Sequence, residues 1–204
     1  MTKPAQARIS QQRDVHMYAE LWHASKCVLQ KGLEDEKGCS WQFLSSIVLT
    51  AFCFEAYLNH VGATQLSCWR TVESLSPLKK FELICELLKV NFPKGFDERP
   101  LQNLKELQLF RNTMAHGKTE TLSPRSKLCD VNKADERLGR RPLSDWERRI
   151  RQKDFAERAQ ADLEEVLIKI HAARPEPKEH LFYFGIGQGS ASLVDPQPRQ
   201  PGDE

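Results

Sequence analysis

The chain reads as an all-α protein, a bundle of about five main helices with a disordered N-terminus and a Pro/Gly-rich C-terminal tail. Three observations predict this. Apolar residues recur at three- and four-residue spacing in successive segments between residues 10 and 173. Helix start and stop signals such as Ser76-Pro77, Ser144 with Glu147, and Gly117 fall at the ends of those segments. The most apolar stretch, Trp41 to Val61, covers nearly every face of a helix, which places it at a bundle centre.

Taken in order, residues 1–9 are expected to be disordered. A first helix runs from Ile9 to Leu33 through Val15, Tyr18, Ala19, Trp22 and Val28, and it ends at Gly32 and the charged run Glu34 to Gly38. His16 and His23 share a face of it; with no third ligand at matching spacing, two ordinary histidines are favoured over a metal pair. The second helix, 41–61, rivals a membrane span in hydropathy. Gln42, Ser45, Ser46, Thr50 and Glu55 interrupt it, so no run of about 18 apolar residues survives, and no membrane is expected. Within this oily helix Glu55 and Asn59 lie one turn apart. A buried carboxylate needs a partner; Arg111 is one candidate and solvent is the alternative.

A short segment, Leu66 to Ser74, leads to Ser76-Pro77, a good N-cap followed by a good first helical residue. That third helix buries Leu78, Phe81, Ile84, Cys85 and Leu88 and breaks at Asn91 to Gly95. The fourth carries Leu104, Leu107, Phe110 and Met114 on one stripe and stops at Gly117. Residues 117–143 are polar and without period, a long loop. Ser144 and Glu147 form a capping box for a helix from about 145 to 173, with a bend expected near Lys153. The domain thus spans 10–173, and 174–204 is a flexible tail, in which Leu181 to Ile186 is an apolar run able to dock on the bundle or on a partner. Gly185 to Gly189 is not a phosphate loop, because neither a helix nor a Lys-Ser/Thr pair follows.

The chemistry concentrates at the end of the fourth helix, in Phe110-Arg111-Asn112-Thr113-Met114-Ala115-His116-Gly117. Asn112 and His116 share a face, and Arg111 stands about 100° further round the axis. A guanidinium holds phosphate oxygens with a forked donor, and an imidazole moves a proton near neutral pH. The bland alternative is that cations in a last turn before Gly merely suit the helix dipole and a left-handed cap. Spacing alone does not choose, since Arg174 and His180 repeat it in a proline-rich setting.

Preceded by the apolar helix ending Phe54-Glu55-Ala56-Tyr57-Leu58-Asn59, the Arg111-Asn112 to His116 motif resembles the HEPN superfamily of all-helical domains. Many members are metal-independent endoribonucleases that act as dimers with both motifs facing one cleft; others keep the bundle and bind without cutting. The resemblance implies Arg111 as phosphate holder, His116 as proton-transfer group and Asn112 as orienting partner, with no metal and no cofactor; Glu55 joins these catalytic candidates as the carboxylate that Arg111 can pair with. It implies cleavage of single-stranded RNA by 2′-hydroxyl attack, a homodimer, and a further role as a toxin or defence effector neutralised by a protein partner, an antitoxin. The alternative is a non-catalytic HEPN-like module binding RNA, a nucleotide or another protein. Lys118 stands where one branch of the family often has Tyr.

Net charge is near +2 from 30 basic and 28 acidic residues, so global charge declares no nucleic-acid partner. Local clustering does more. Arg137, Arg140, Arg141, Arg148, Arg149, Arg151, Lys153 and Arg158 form the one dense basic patch, which with Lys118 supplies candidate RNA contacts. Interleaved Asp135, Glu136, Asp145, Glu147, Asp154 and Glu157 equally fit a solvated helix face. Six cysteines, 27, 39, 53, 68, 85 and 129, show no paired or zinc-like spacing and are read as free thiols. With no signal peptide evident, a cytoplasmic setting is expected.

Overall fold

A computed structural model describes residues 6–35, 37–123, 128, 130–176 and 178–194. Among them are eight α-helices and one two-stranded sheet: β1 (Gln6–Arg13), α1 (Met17–Glu34), α2 (Cys39–Gln65), α3 (Trp69–Val72), α4 (Pro77–Leu88), α5 (Leu101–Ala115), α6 (Ala134–Leu138), α7 (Asp145–Ile150), α8 (Lys153–Ala173) and β2 (Gly187–Val194). Five of the helices, α1, α2, α4, α5 and α8, are long, and they form the bundle. Cys129 and the prolines 124, 177, 196, 198 and 201 lie outside the described residues.

α2 occupies the centre, packed on α1, α4, α5 and α8. Its length follows from a sequence without Pro or charge before Glu55, and Ile47, Phe54, Tyr57, Leu58 and Val61 are fully buried in it. By length and composition alone it is apolar enough to cross a membrane, with a window of mean hydropathy 1.3, half of which is buried in the bundle. From α5 come Leu104, Leu107 and Phe110, and from α8 Leu163, Val166, Leu167 and Ile170. Each such side chain contributes about 1.5–3 kcal/mol on leaving water, which is what holds these amphipathic helices together. One polar seam crosses the core: Gln160 Nε2 donates to Ser46 Oγ at 3.0 Å and to Ser25 Oγ at 3.3 Å. Small hydroxyls at 25 and 46 let α1 and α2 approach, and the amide bonds to both.

Four expectations are corrected. Residues 6–9 are not disordered: they belong to β1, which pairs antiparallel with β2 from Gln6 opposite Val194 to Arg13 opposite Gly187. Helix α1 therefore begins at Met17, not Ile9. The bend expected near Lys153 falls where expected but is a full break: the helix from 145 to 173 divides between Ile150 and Lys153, so the capping box of Ser144 and Glu147 starts the short α7 and Gln152 starts α8. The loop after the motif helix contains α6, and α5 ends at His116 without a left-handed glycine.

Residues 178–186 do not leave the bundle either. Leu181 and Phe182 pack against the core, and the Phe182 ring stacks on Trp22 at 4.7 Å between centroids. Gly185 (φ +100°) turns the chain where any Cβ would collide with the Asp14 carbonyl, and Asp14 N–H then donates to Ile186 O at 2.9 Å. The latch is Glu179. Its Oε1 accepts from Arg174 Nη1 at 2.5 Å and from His60 Nε2 at 2.8 Å, and Tyr18 Oη lies at 3.4 Å. Burial pushes the Glu179 carboxyl up, but the hydrogen bonds from Arg174, its own backbone and His60 outweigh this and bring it down to about 2. Burial lowers His60 more than its contact with Glu179 raises it.

Candidate functional site

The motif helix presents its polar residues at the end away from Leu101. Arg111 is half-buried and Asn112 exposed, while Leu107 and Phe110 anchor the preceding turn in the core. Arg111 Nη2 donates to Glu55 Oε2 at 2.7 Å, and Nη1 donates to Asn112 Oδ1 at 3.0 Å. The guanidinium also lies over Phe52, one turn before Glu55 on α2, at 5.6 Å from the ring centre. So the Glu55–Arg111 pair, one of two alternatives in the sequence, is formed.

Glu55 has a second cation that sequence reasoning missed. Lys80, on α4, donates from Nζ to Glu55 Oε1 at 3.2 Å and to Asn59 Oδ1 at 2.9 Å, with its side chain only 3% exposed. The one available signal was the shared face of Glu55 and Asn59; Lys80 itself reads as an ordinary lysine beside Lys79 in an amphipathic helix.

A guanidinium has five N–H donors. In Arg111 one is spent on Glu55 and one on Asn112, and Nε is buried without a partner. One N–H on each of Nη1 and Nη2 is left uncommitted among the described residues, on a side chain 22% exposed. That is the donor pattern a bidentate phosphate or carboxylate accepts.

His116 closes α5: its backbone N–H donates to Asn112 O at 2.9 Å, and its side chain is exposed. Its imidazole makes no hydrogen bond among the described residues, so the helix brings it to the same end as Arg111 and Asn112 without bonding it to either. Lys118 follows, exposed, on the chain leaving the helix.

The basic segment is less uniform than its sequence. Arg149 reaches α5, where Nη1 donates to Glu106 Oε2 at 2.9 Å, and its guanidinium covers Phe155 at 4.8 Å. Arg140 pairs with Glu136, Arg148 with Asp145, Arg141 with Glu147 at 3.7 Å, and Lys153 with Glu157 at 3.6 Å. Those acids offset much of the patch. Arg137, Arg151 and Arg158 are exposed, and no ion pair engages them among the described residues. Between α5 and α7 lies a hollow of about 280 Å³ lined by Glu106, Leu109, Thr113, Glu120, Trp146 and Arg149 among others; Arg111 and His116 do not line it.

Of the other histidines, His16 caps α1 and its Nδ1 contacts Tyr183 O at 2.8 Å, while His23 lies 3.5 Å from Cys27 Sγ. Cysteines 27, 39, 53, 68 and 85 are free thiols, and burial pushes Cys85 up to about 12. Among the described residues no cluster of three His, Cys, Asp or Glu side chains is placed to hold a metal ion.

Comparison of the chain with family models, with curated proteins and with solved structures found no match in any of the three. The structure defines an all-helical bundle with a small terminal sheet and, in the last turn of one helix, a guanidinium held by a carboxylate and, at that helix's C-cap, an exposed imidazole.

Proposed function

We propose that the chain is a metal-independent endoribonuclease of HEPN type, working as a homodimer in a reducing cytoplasm. The observation that carries this is the Glu55-held Arg111 guanidinium, two N–H groups uncommitted, at the helix end that also bears the unengaged imidazole of His116. Arg111 would hold the non-bridging oxygens of an RNA phosphodiester and stabilise the charge that develops on them. His116 would take the proton of the ribose 2′-hydroxyl as that oxygen attacks phosphorus, or deliver one to the departing 5′-oxygen. One bond forms, P–O2′, and one breaks, P–O5′, leaving a 2′,3′-cyclic phosphate and a 5′-hydroxyl. A single imidazole serves one of the two transfers, and a second copy of the motif from the dimer mate, or a water, serves the other. Asn112 orients Arg111, Glu55 fixes its direction, and Lys118, Arg137 and Arg151 are the exposed cations best able to follow the RNA backbone, with Arg140, Arg141, Arg148 and Arg149 held by acids nearby.

The test is incubation of the purified chain with single-stranded RNA in EDTA and analysis of the ends. Fragments ending in 2′,3′-cyclic phosphate are expected; intact RNA at micromolar protein overturns the proposal.

A specific observation also favours the second reading, a non-catalytic module that binds RNA, a nucleotide or a protein: Arg111 ties α5 to α2 through Glu55, a purely structural service. On that reading Arg111→Ala lowers thermal stability and the parent cuts nothing.

A further inference from the structure

A clasp that only joined helices would be expected to balance its charges, because a surplus charge withdrawn from water is costly. The clasp between α2, α4 and α5 does not balance. Lys80 and Arg111 share the single carboxylate of Glu55, one cation on each oxygen. The other two members, Asn59 and Asn112, offer carbonyl oxygens and no charge. Among the described residues no second carboxylate pairs with either cation. Two cations on one carboxylate leave the cluster a formal net charge of +1.

Where that charge is felt follows from burial. Lys80 is 3% exposed, with Nζ already bonded to Glu55 and Asn59, so it cannot itself meet a ligand. Arg111 is 22% exposed and keeps two free N–H groups. Were Glu55 alone behind Arg111, the pair would be neutral and an approaching phosphate would meet the carboxylate's repulsion as well as the guanidinium's attraction. With Lys80 on the far oxygen, Glu55 keeps its directional bond to Arg111 while its charge is cancelled from behind.

We infer that Lys80 is a positioning residue for an anion site at Arg111: by balancing Glu55 from the interior it leaves the Arg111 guanidinium both fixed and uncompensated, ready for the phosphodiester of a nucleic acid. The inference rests on the nuclease proposal for the identity of the ligand. It adds a third helix, α4, to a site otherwise drawn from α2 and α5.

The experiment uses the full chain and a fluorescently labelled single-stranded 2′-deoxy oligonucleotide, which offers the same phosphodiester but lacks the attacking hydroxyl, with anisotropy read at low and high salt. Arg111→Ala is expected to weaken binding. Lys80→Met is expected to weaken it about five- to tenfold at low salt, with the loss shrinking as salt screens the missing charge. Lys80→Arg, which keeps the charge, should bind like the parent. The double variant Glu55→Gln/Lys80→Met, where Arg111 alone carries the positive charge, should recover most of what Lys80→Met lost. Lys80→Gln, which keeps a donor toward Glu55 and Asn59, replaces Lys80→Met if circular dichroism shows the latter unfolded; if both unfold, Lys80 serves the fold and the inference falls. It falls equally if Arg111→Ala weakens binding while Lys80→Met matches the parent, or if the double variant is as weak as Lys80→Met, and in those cases the anion site survives. Parental binding by Arg111→Ala removes the anion site and the nuclease proposal together.

Discussion

Arg111 Nη2 and Glu55 Oε2 meet at 2.7 Å across 56 residues of sequence, and the contact joins the motif helix to the central helix of the bundle. The same carboxylate neutralises the buried Lys80, so its removal strands a charge. Glu55→Ala is expected to cost about 2–3 kcal/mol, short of the 3–5 kcal/mol for a fully buried pair because Glu55 is 25% exposed. Urea unfolding checks this. A loss under about 0.5 kcal/mol would show that Asn59 and water suffice for Lys80.

The terminal latch sets a pH dependence. Glu179 is depressed from 4.5 to about 2 in the fold, so its contribution is present above pH 4.5 and drains away as pH falls toward 2. His60 and His171 are also lowered, first by burial, so the unfolded chain takes up protons more readily and stability begins to decline as pH drops below 6.5. Thermal melts from pH 8 to pH 3 should therefore show a falling Tm in two stages. Glu179→Gln should lower Tm at pH 7 and flatten the stage below pH 4.5; the groups facing it, Arg174, His60 and Tyr18, remain. An unchanged acid limb would contradict the latch.

Gly62 lies in α2 where the Trp69 indole crosses, and a Cβ there would overlap the six-membered ring. Alanine gains about 1 kcal/mol of helix propensity at such a position. Overpacking costs about 1–3 kcal/mol, so a net loss is expected for Gly62→Ala, whereas Gly139→Ala, with only ordinary contacts, should be neutral or better. Melting temperatures of the two variants decide it, and a stabilised Gly62→Ala would show that Trp69 moves aside freely.

The bundle was legible because its helices advertise themselves: one apolar stripe each, a Ser-Pro start for α4 and a capping box for α7. Glu55 was half legible: a carboxylate in an oily helix demands a partner, but the sequence left Arg111 and solvent as alternatives, and only the fold chooses Arg111. The sheet was not. Every described position of β1 is exposed, so it carries no apolar alternation, and its partner lies at the far end of the chain. Nor was the docking of the C-terminal segment, which depends on one carboxylate, Glu179, meeting Arg174 and His60 rather than on a periodic pattern. Lys80 was hidden for a related reason: a lysine next to another lysine reads as solvated, and only the three-dimensional neighbourhood of Glu55 buries it.

The nuclease proposal stands or falls most directly on the rate at which single-stranded RNA is cut in EDTA by the parent, His116→Ala and Arg111→Ala, each first shown to be as helical as the parent. The expected result is cutting by the parent and a loss of at least about 100-fold in each variant, the scale of one general acid or base. Equal rates in parent and His116→Ala would contradict it.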